Sequence, residues 1–241
     1  MSLYSSLSEN KKQFAVLVDP DKYNTQQLID LAGMAARSMV SYFFVGGSLL
    51  SEDNLENTIK VLKENCNIPV IIFPGDVMQI NPHADGILLL SLISGRNPEL
   101  LIGKHVVAAP YLKKSHLEIL PTGYMLIESG RPTTASYMSN SIPIPNDKDE
   151  IAVSTAMAGE MLGLRLIYID GGSGAMNPIP VGMIEKVKSA ISIPLIVGGG
   201  IRTPQAAADR FKAGADIIVV GNAIEVKSSL LEKIASVALS F

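Results

Sequence analysis

Leu166-Ile167-Tyr168-Ile169-Asp170-Gly171-Gly172-Ser173-Gly174 is an apolar run that stops on a carboxylate and opens into glycine. The same grammar returns twice downstream, in Leu195-Ile196-Val197-Gly198-Gly199-Gly200-Ile201 and in Ile217-Ile218-Val219-Val220-Gly221-Asn222. Runs that are apolar throughout, rather than alternating, are how parallel strands read when both faces are buried. Working outward, further runs of this kind occupy 14–18, 42–45, 70–73, 86–90 and 124–127. With 166–169, 195–197 and 217–220 they make eight, and most are separated by amphipathic stretches. The pattern predicts an α/β fold, a single (β/α)8 TIM barrel spanning residues 1–241.

Two places break the period. Between 73 and 86 lie Pro74, Gly75, Asn81 and Pro82, too few residues and too many breakers for a crossover helix. The βα unit after strand three is therefore expected to lack a regular helix. The apolar segment 106–109 could be an extra strand. Helix signals are clearer later. Thr203 and Pro204 suit an N-cap and first turn, with Gly214 as the stop. Asp147 could cap a helix running to 162, ended by Gly163.

The glycine segments each follow a late strand. Glycine lets the backbone approach an anion and aim several N–H groups at it, and barrel enzymes commonly hold phosphate beyond strands seven and eight. Gly171, Gly172, Ser173, Gly174, Gly199, Gly200, Gly221 and Asn222 are thus candidate phosphate-binding residues. At the front, strand one ends in Asp19-Pro20-Asp21-Lys22 and strand two in Gly46-Gly47-Ser48. A carboxylate and a hydroxyl on neighbouring strands suit Mg2+, which keeps water and substrate oxygens in its other positions. The alternative is that Asp19 and Asp21 form a turn and helix cap, a role Asp21 fits better. Asp170 and Glu128 are rim carboxylates able to accept a proton, or to pair with Arg131, Lys22 or Arg202.

The bulk numbers narrow the setting. The 241 residues carry a net charge of -3 with no basic block, which argues against nucleic acid as a partner. The single cysteine, Cys66, excludes an intrachain disulfide and suits a reducing cytoplasm. His83, His105 and His116 show no ligand spacing and are read as structural or exposed. No run is long enough to cross a bilayer. Ten Met, no Trp and a mean hydropathy of +0.29 leave peripheral contact with a membrane open.

Taken together, Asp19 to Lys22, Gly46-Gly47-Ser48, Tyr137-Met138-Ser139-Asn140, Ala158-Gly159-Glu160-Met161-Leu162-Gly163, Tyr168 to Gly174, Val197 to Arg202 and Gly221-Asn222 resemble the geranylgeranylglyceryl phosphate synthase family. The resemblance implies a Mg2+-dependent prenyltransferase. It would join the 3-hydroxyl of sn-glycerol 1-phosphate to a polyprenyl diphosphate, with a C20 donor suggested, and release pyrophosphate. Asp19 and Ser48 would hold the metal. Tyr168, Ile169, Asp170, Gly171, Gly172, Ser173 and Gly174 would surround glycerol phosphate, with Gly199, Gly200, Gly221 and Asn222 on its phosphate. Relatives are usually homo-oligomers, and 151–162 is a candidate packing surface. Two departures stand out. Many relatives have Glu where this chain has Asp170, and one branch has Lys where this chain has Leu17, with Lys22 and Arg202 as candidate replacements. The apolar segments 87–92 and 106–109 are the expected wall of a prenyl groove. The residues alone leave a sugar-phosphate isomerase, an FMN-dependent oxidase or a non-catalytic phosphometabolite binder as alternatives.

Overall fold

The computed structural model describes residues 2–52 and 54–241. Eight strands, β1 (Gln13–Val18), β2 (Tyr42–Val45), β3 (Val70–Ile72), β4 (Gly86–Leu92), β5 (Glu118–Leu126), β6 (Leu166–Asp170), β7 (Leu195–Gly198) and β8 (Ile217–Val220), form one closed barrel. Each pairs in parallel with the next, and β8 returns to β1 with Ala15 opposite Val219. Alternate residues of each strand face opposite ways. Ala15, Phe44, Leu88, Tyr168, Ile196 and Val219 fill the interior, while Val16, Phe43, Ile87, Ile169, Val197 and Ile218 pack outward under the helices. This double burial explains the continuous apolar runs.

The outer layer comprises α2 (Thr25–Arg37), α3 (Leu55–Asn65), α4 (Lys104–Lys114), α6 (Asp149–Met161), α7 (Val181–Ala190), α8 (Pro204–Lys212) and α10 (Leu230–Ala238), with short helices α5 (Thr134–Met138) and α9 (Asn222–Val226) near the rim. A further short helix, α1 (Leu3–Leu7), sits against the N-terminal strand ends. It places Leu7 in the barrel interior and directs the amides of Leu3 and Tyr4 onto Glu118 at 2.6 and 2.8 Å. As the breakers between 73 and 86 suggest, β3 and β4 are joined without an α-helix, by a 3-10 turn at Val77–Gln79.

The expectation for 106–109 is overturned: these residues lie within α4. Only Ala108 and Leu112, one turn apart, are buried there, whereas Val106 and Val107 face out. A run of apolar side chains is not strand evidence when half of it is exposed. The strand that precedes β6 is β5, which begins at Glu118 rather than 124 and carries Pro121. The helix expected from Asp147 starts at Asp149 with Lys148 at its N-cap and no side-chain cap. The α8 signals hold, with Thr203 Oγ1 accepting from Ala206 N at 3.1 Å.

Candidate active site

A cavity of about 1220 Å³ opens over the C-terminal ends of the strands. Asp19, Ser48, Tyr168, Asp170, Gly172, Ser173, Gly174, Gly199, Gly200, Gly221 and Asn222 all line it. Ile169 does not, because strand alternation turns it outward between Tyr168 and Asp170. Gly171 backs the loop from beneath and lines a second, shallower depression. Glu128 also belongs to that second depression: its amide donates to Ile144 O at 2.8 Å, and its exposed side chain sits with Arg131 outside the main cavity. A role for Glu128 as proton acceptor at the barrel mouth is therefore not supported by its position.

The glycine loops pack too tightly for side chains. Gly199 adopts φ +83°, and a Cβ there would lie 2.6 Å from the Gly171 nitrogen and 3.0 Å from Asp170 Oδ1. The β7 loop can thus lie directly on the β6 loop. Ser173 Oγ donates to Asn222 Oδ1 at 3.1 Å, tying the β6 loop to the start of α9. Residues of all three loops line the same concave surface of the cavity, and glycine-rich turns after strands are a backbone arrangement able to hold an anion.

Asp170 is buried at the floor of this surface. Its Oδ2 accepts from the Tyr124 hydroxyl at 2.6 Å and its Oδ1 from Gly172 N at 2.9 Å. Burial pushes the carboxyl above the usual carboxylate range, and these two donors pull it back toward ionisation. None of the expected ion-pair partners takes it. Arg131 Nε donates to Gly174 O at 2.8 Å, Arg202 donates to the carbonyls of Ala175 and Met176, and Lys22 stands between Asp19 and Glu225. Tyr124 lies opposite Tyr168 in the β5–β6 register, and both rings contact Phe73 with centroids 5.7 and 5.2 Å away. The sequence marks Tyr124 only as a strand residue. Its hydroxyl becomes part of the site through the pairing of β5 with β6. Because the Tyr124 bond favours the charged carboxylate, Tyr124→Phe should raise the Asp170 pKa further. The acidic limb of the pH–rate profile is then expected to move to higher pH, and an unmoved limb would show that this bond does not govern the group that titrates.

At the opposite rim, Asp19 and not Asp21 caps the short turn Pro20–Lys22, through Asp21 N to Asp19 Oδ1 at 3.1 Å. Asp21 instead accepts from Ser51 N and Oγ at 2.6 and 2.8 Å, pinning the β2 loop. The cap leaves Asp19 lining the cavity, so the two readings of this residue are compatible. Ser48 is held beside it by a contact that sequence spacing does not reveal. Gln79 Nε2 donates to Gly47 O at 2.8 Å, and Gly75 packs so closely that a Cβ would lie 2.3 Å from Gly47 O. No group of three or more His, Cys, Asp or Glu side chains is placed to hold a metal among the described residues. One carboxylate and one hydroxyl fit only an ion that takes most of its ligands from water and substrate, which is the habit of Mg2+.

The model of the PcrB family matches residues 7–238. The chain belongs to the PcrB family. A geranylgeranylglyceryl phosphate synthase of Chitinophaga pinensis is 53% identical over 237 residues, covering 97% of this chain and 94% of that one. The enzyme of the same name from Pyrococcus furiosus is 42% identical over 225 residues, covering 93% and 89%. The crystal structure of (S)-3-O-geranylgeranylglyceryl phosphate synthase from Thermoplasma acidophilum, in complex with substrate sn-glycerol-1-phosphate, superposes with a TM-score of 0.94 at 31% identity, covering 100% of both chains.

The cavity of this PcrB-family member continues past the polar rim into an apolar half. Ile87, Leu89, Leu90, Leu92, Leu100 and Leu112 line it, with Ile80 from the helix-free β3–β4 connection. Of 106–109 only Ala108 takes part, since Val106 and Val107 point away. His105 also borders this half, with Nε2 bonded to Leu90 O at 2.8 Å, a structural contact. Cys66 lies elsewhere, its thiol against Leu62 O at 3.4 Å. No helix is long and apolar enough to cross a membrane among the described residues.

Proposed function

We propose that this chain transfers a prenyl group from a polyprenyl diphosphate to the 3-hydroxyl of sn-glycerol 1-phosphate, releasing pyrophosphate. One observation carries the reading: a single cavity joins an anion cradle of three glycine loops, a buried carboxylate and a long apolar trough. A sugar-phosphate isomerase has no use for the trough. Ser173, Gly174, Gly199, Gly200, Gly221 and Asn222 would grip the phosphate of glycerol phosphate through backbone N–H groups, while Gly172, whose N–H is taken by Asp170 Oδ1, would shape the loop around it. Tyr168 would wall the glycerol backbone. Asp170, fixed by Tyr124 and Gly172, would accept the proton of the attacking hydroxyl. Holding both substrates in one cavity supplies the positioning that a reaction of two bound molecules needs, worth at most about 7–11 kcal/mol.

Asp19 and Ser48 would hold Mg2+, which when bound neutralises diphosphate charge and makes pyrophosphate a better leaving group. The apolar half would bury the prenyl tail, geranylgeranyl being the donor that the relatives' names suggest. The exposed Ile151, Met161 and Leu162 around α6 suit a homo-oligomer contact, and peripheral contact with a membrane would ease loading of so apolar a donor.

The test is incubation with sn-glycerol 1-phosphate, Mg2+ and prenyl diphosphates of several lengths, with mass analysis of the products. An ether product with at least one donor is expected. Binding of glycerol phosphate without turnover of any donor would favour the non-catalytic reading. In the same assay, Ala108→Phe should shift preference toward shorter donors, because each CH2 denied burial forfeits about 0.8 kcal/mol, or about fourfold. An unchanged chain-length profile would place the tail elsewhere.

A further inference from the structure

Three cationic side chains line the cavity among the described residues: Lys22, Lys104 and Arg202. Their partners set them apart. Lys104 is paired with Asp76 at 2.5 Å beside the helix-free β3–β4 connection. Arg202 directs its guanidinium at the carbonyls of Ala175 and Met176 and so braces the chain between β6 and α7. Lys22 stands beside Asp19, with Nζ 3.3 Å from Asp19 Oδ2 and 3.5 Å from Glu225 Oε2. Both separations are long against the roughly 2.7–2.9 Å of a tight charge-assisted bond, and the Lys22 side chain is 43% exposed. The ammonium lies near two carboxylates but is locked by neither. Between Asp19 and the glycine loops, β1 contributes only Leu17, whose Cβ packs against Gly221.

We infer that Lys22 is the binding residue for the diphosphate of the prenyl donor, and that Glu225 keeps its ammonium beside the site until that substrate arrives. The inference rests on the proposed function. A diphosphate entering next to Asp19 and Glu225 meets two like charges; Mg2+ on Asp19 would offset part of this repulsion, and Lys22 is the side-chain cation that lies against both carboxylates. An ammonium on a flexible four-carbon stem can exchange carboxylate oxygens for phosphate oxygens with little displacement, since its three donors have no fixed fork to satisfy. The requirement grows during reaction. The bond from the prenyl carbon to the diphosphate oxygen breaks, and its electron pair leaves on that oxygen. The glycerol oxygen forms the new bond to carbon, and its proton passes to the Asp170 carboxylate. A cation beside the departing oxygen is worth more in the transition state than in the ground state. Arg202 cannot serve in the same way without abandoning two backbone carbonyls.

The experiment measures binding by calorimetry on the intact protein and on Lys22→Met and Lys22→Arg, with inorganic pyrophosphate plus excess Mg2+ in one titration and sn-glycerol 1-phosphate in another. Lys22→Met should weaken pyrophosphate by about 10- to 100-fold, the range for a lost bond to a charged group. Lys22→Arg should recover most of that loss, because the charge is restored. Glycerol phosphate should bind both variants as it binds the parent. Undiminished pyrophosphate affinity in Lys22→Met, with the parent binding normally, would overturn the assignment alone. Equal weakening of both ligands would overturn it too, by making Lys22 a general attractor. A parent that binds glycerol phosphate but no pyrophosphate would overturn it together with the proposed donor.

Discussion

Asp170→Asn is expected to lower turnover by about 10²–10⁴-fold, the usual share of a positioned general base, while glycerol phosphate still binds. Asparagine keeps the size of the side chain and an oxygen able to accept from Gly172 N, so the loop after β6 retains its shape. What is lost is the capacity to take a proton. The measurement is turnover and glycerol phosphate affinity on the same preparation. Turnover within a few-fold of the parent would remove Asp170 as the base. Equal losses in affinity and turnover would make it a binding residue instead. This prediction is sharp because Asp170 is one methylene shorter than glutamate. Its reach depends on Tyr124 and Gly172 holding both oxygens at 2.6 and 2.9 Å.

Asp19→Asn should be comparably severe through a different route. The substitution removes the carboxylate proposed to anchor Mg2+ beside Ser48. Losing one electrostatic contribution to leaving-group departure typically costs about 3–4 kcal/mol, or about 10²–10³-fold. The neutral side chain can still cap the Pro20–Lys22 turn through its oxygen, so thermal unfolding should shift little. Turnover is measured across a Mg2+ titration. An apparent Mg2+ requirement that rises sharply supports the assignment. Near-normal turnover with the parent's Mg2+ dependence would end it.

The strands of the barrel and the glycine loops that line its cavity were legible in the sequence because their signals are local. A glycine loop after a buried strand carries its meaning within about seven residues, and eight such strands leave few arrangements open. What could not be read depends on contacts distant along the chain. Tyr124 meets Asp170 across 46 positions, and Gln79 fixes Gly47 across 32. Neither residue type announces such a role. Glu128 was misleading for a related reason. It follows an apolar run as Asp170 does, but the bridge from Ile127 to Ile144 steers the chain aside and turns that carboxylate out. The segment 106–109 failed as a strand because its exposed valines carry no periodicity that separates a helix from a strand.

The connection from β3 to β4, where a turn stands in place of a helix, has a consequence for how such enzymes diversify. Asp19 and Asp170 sit at the ends of β1 and β6, whereas the apolar half of the cavity is lined by β4, Ile80 and residues of α4. On the proposed function, reach along the trough would be set by residues of β4, α4 and the β3–β4 connection, elements other than those that carry Asp19 and Asp170. Mutation there would then lengthen or shorten the accepted lipid while leaving Asp19 and Asp170 in place, so lineages with different membranes could inherit the same chemistry and refit only its gauge.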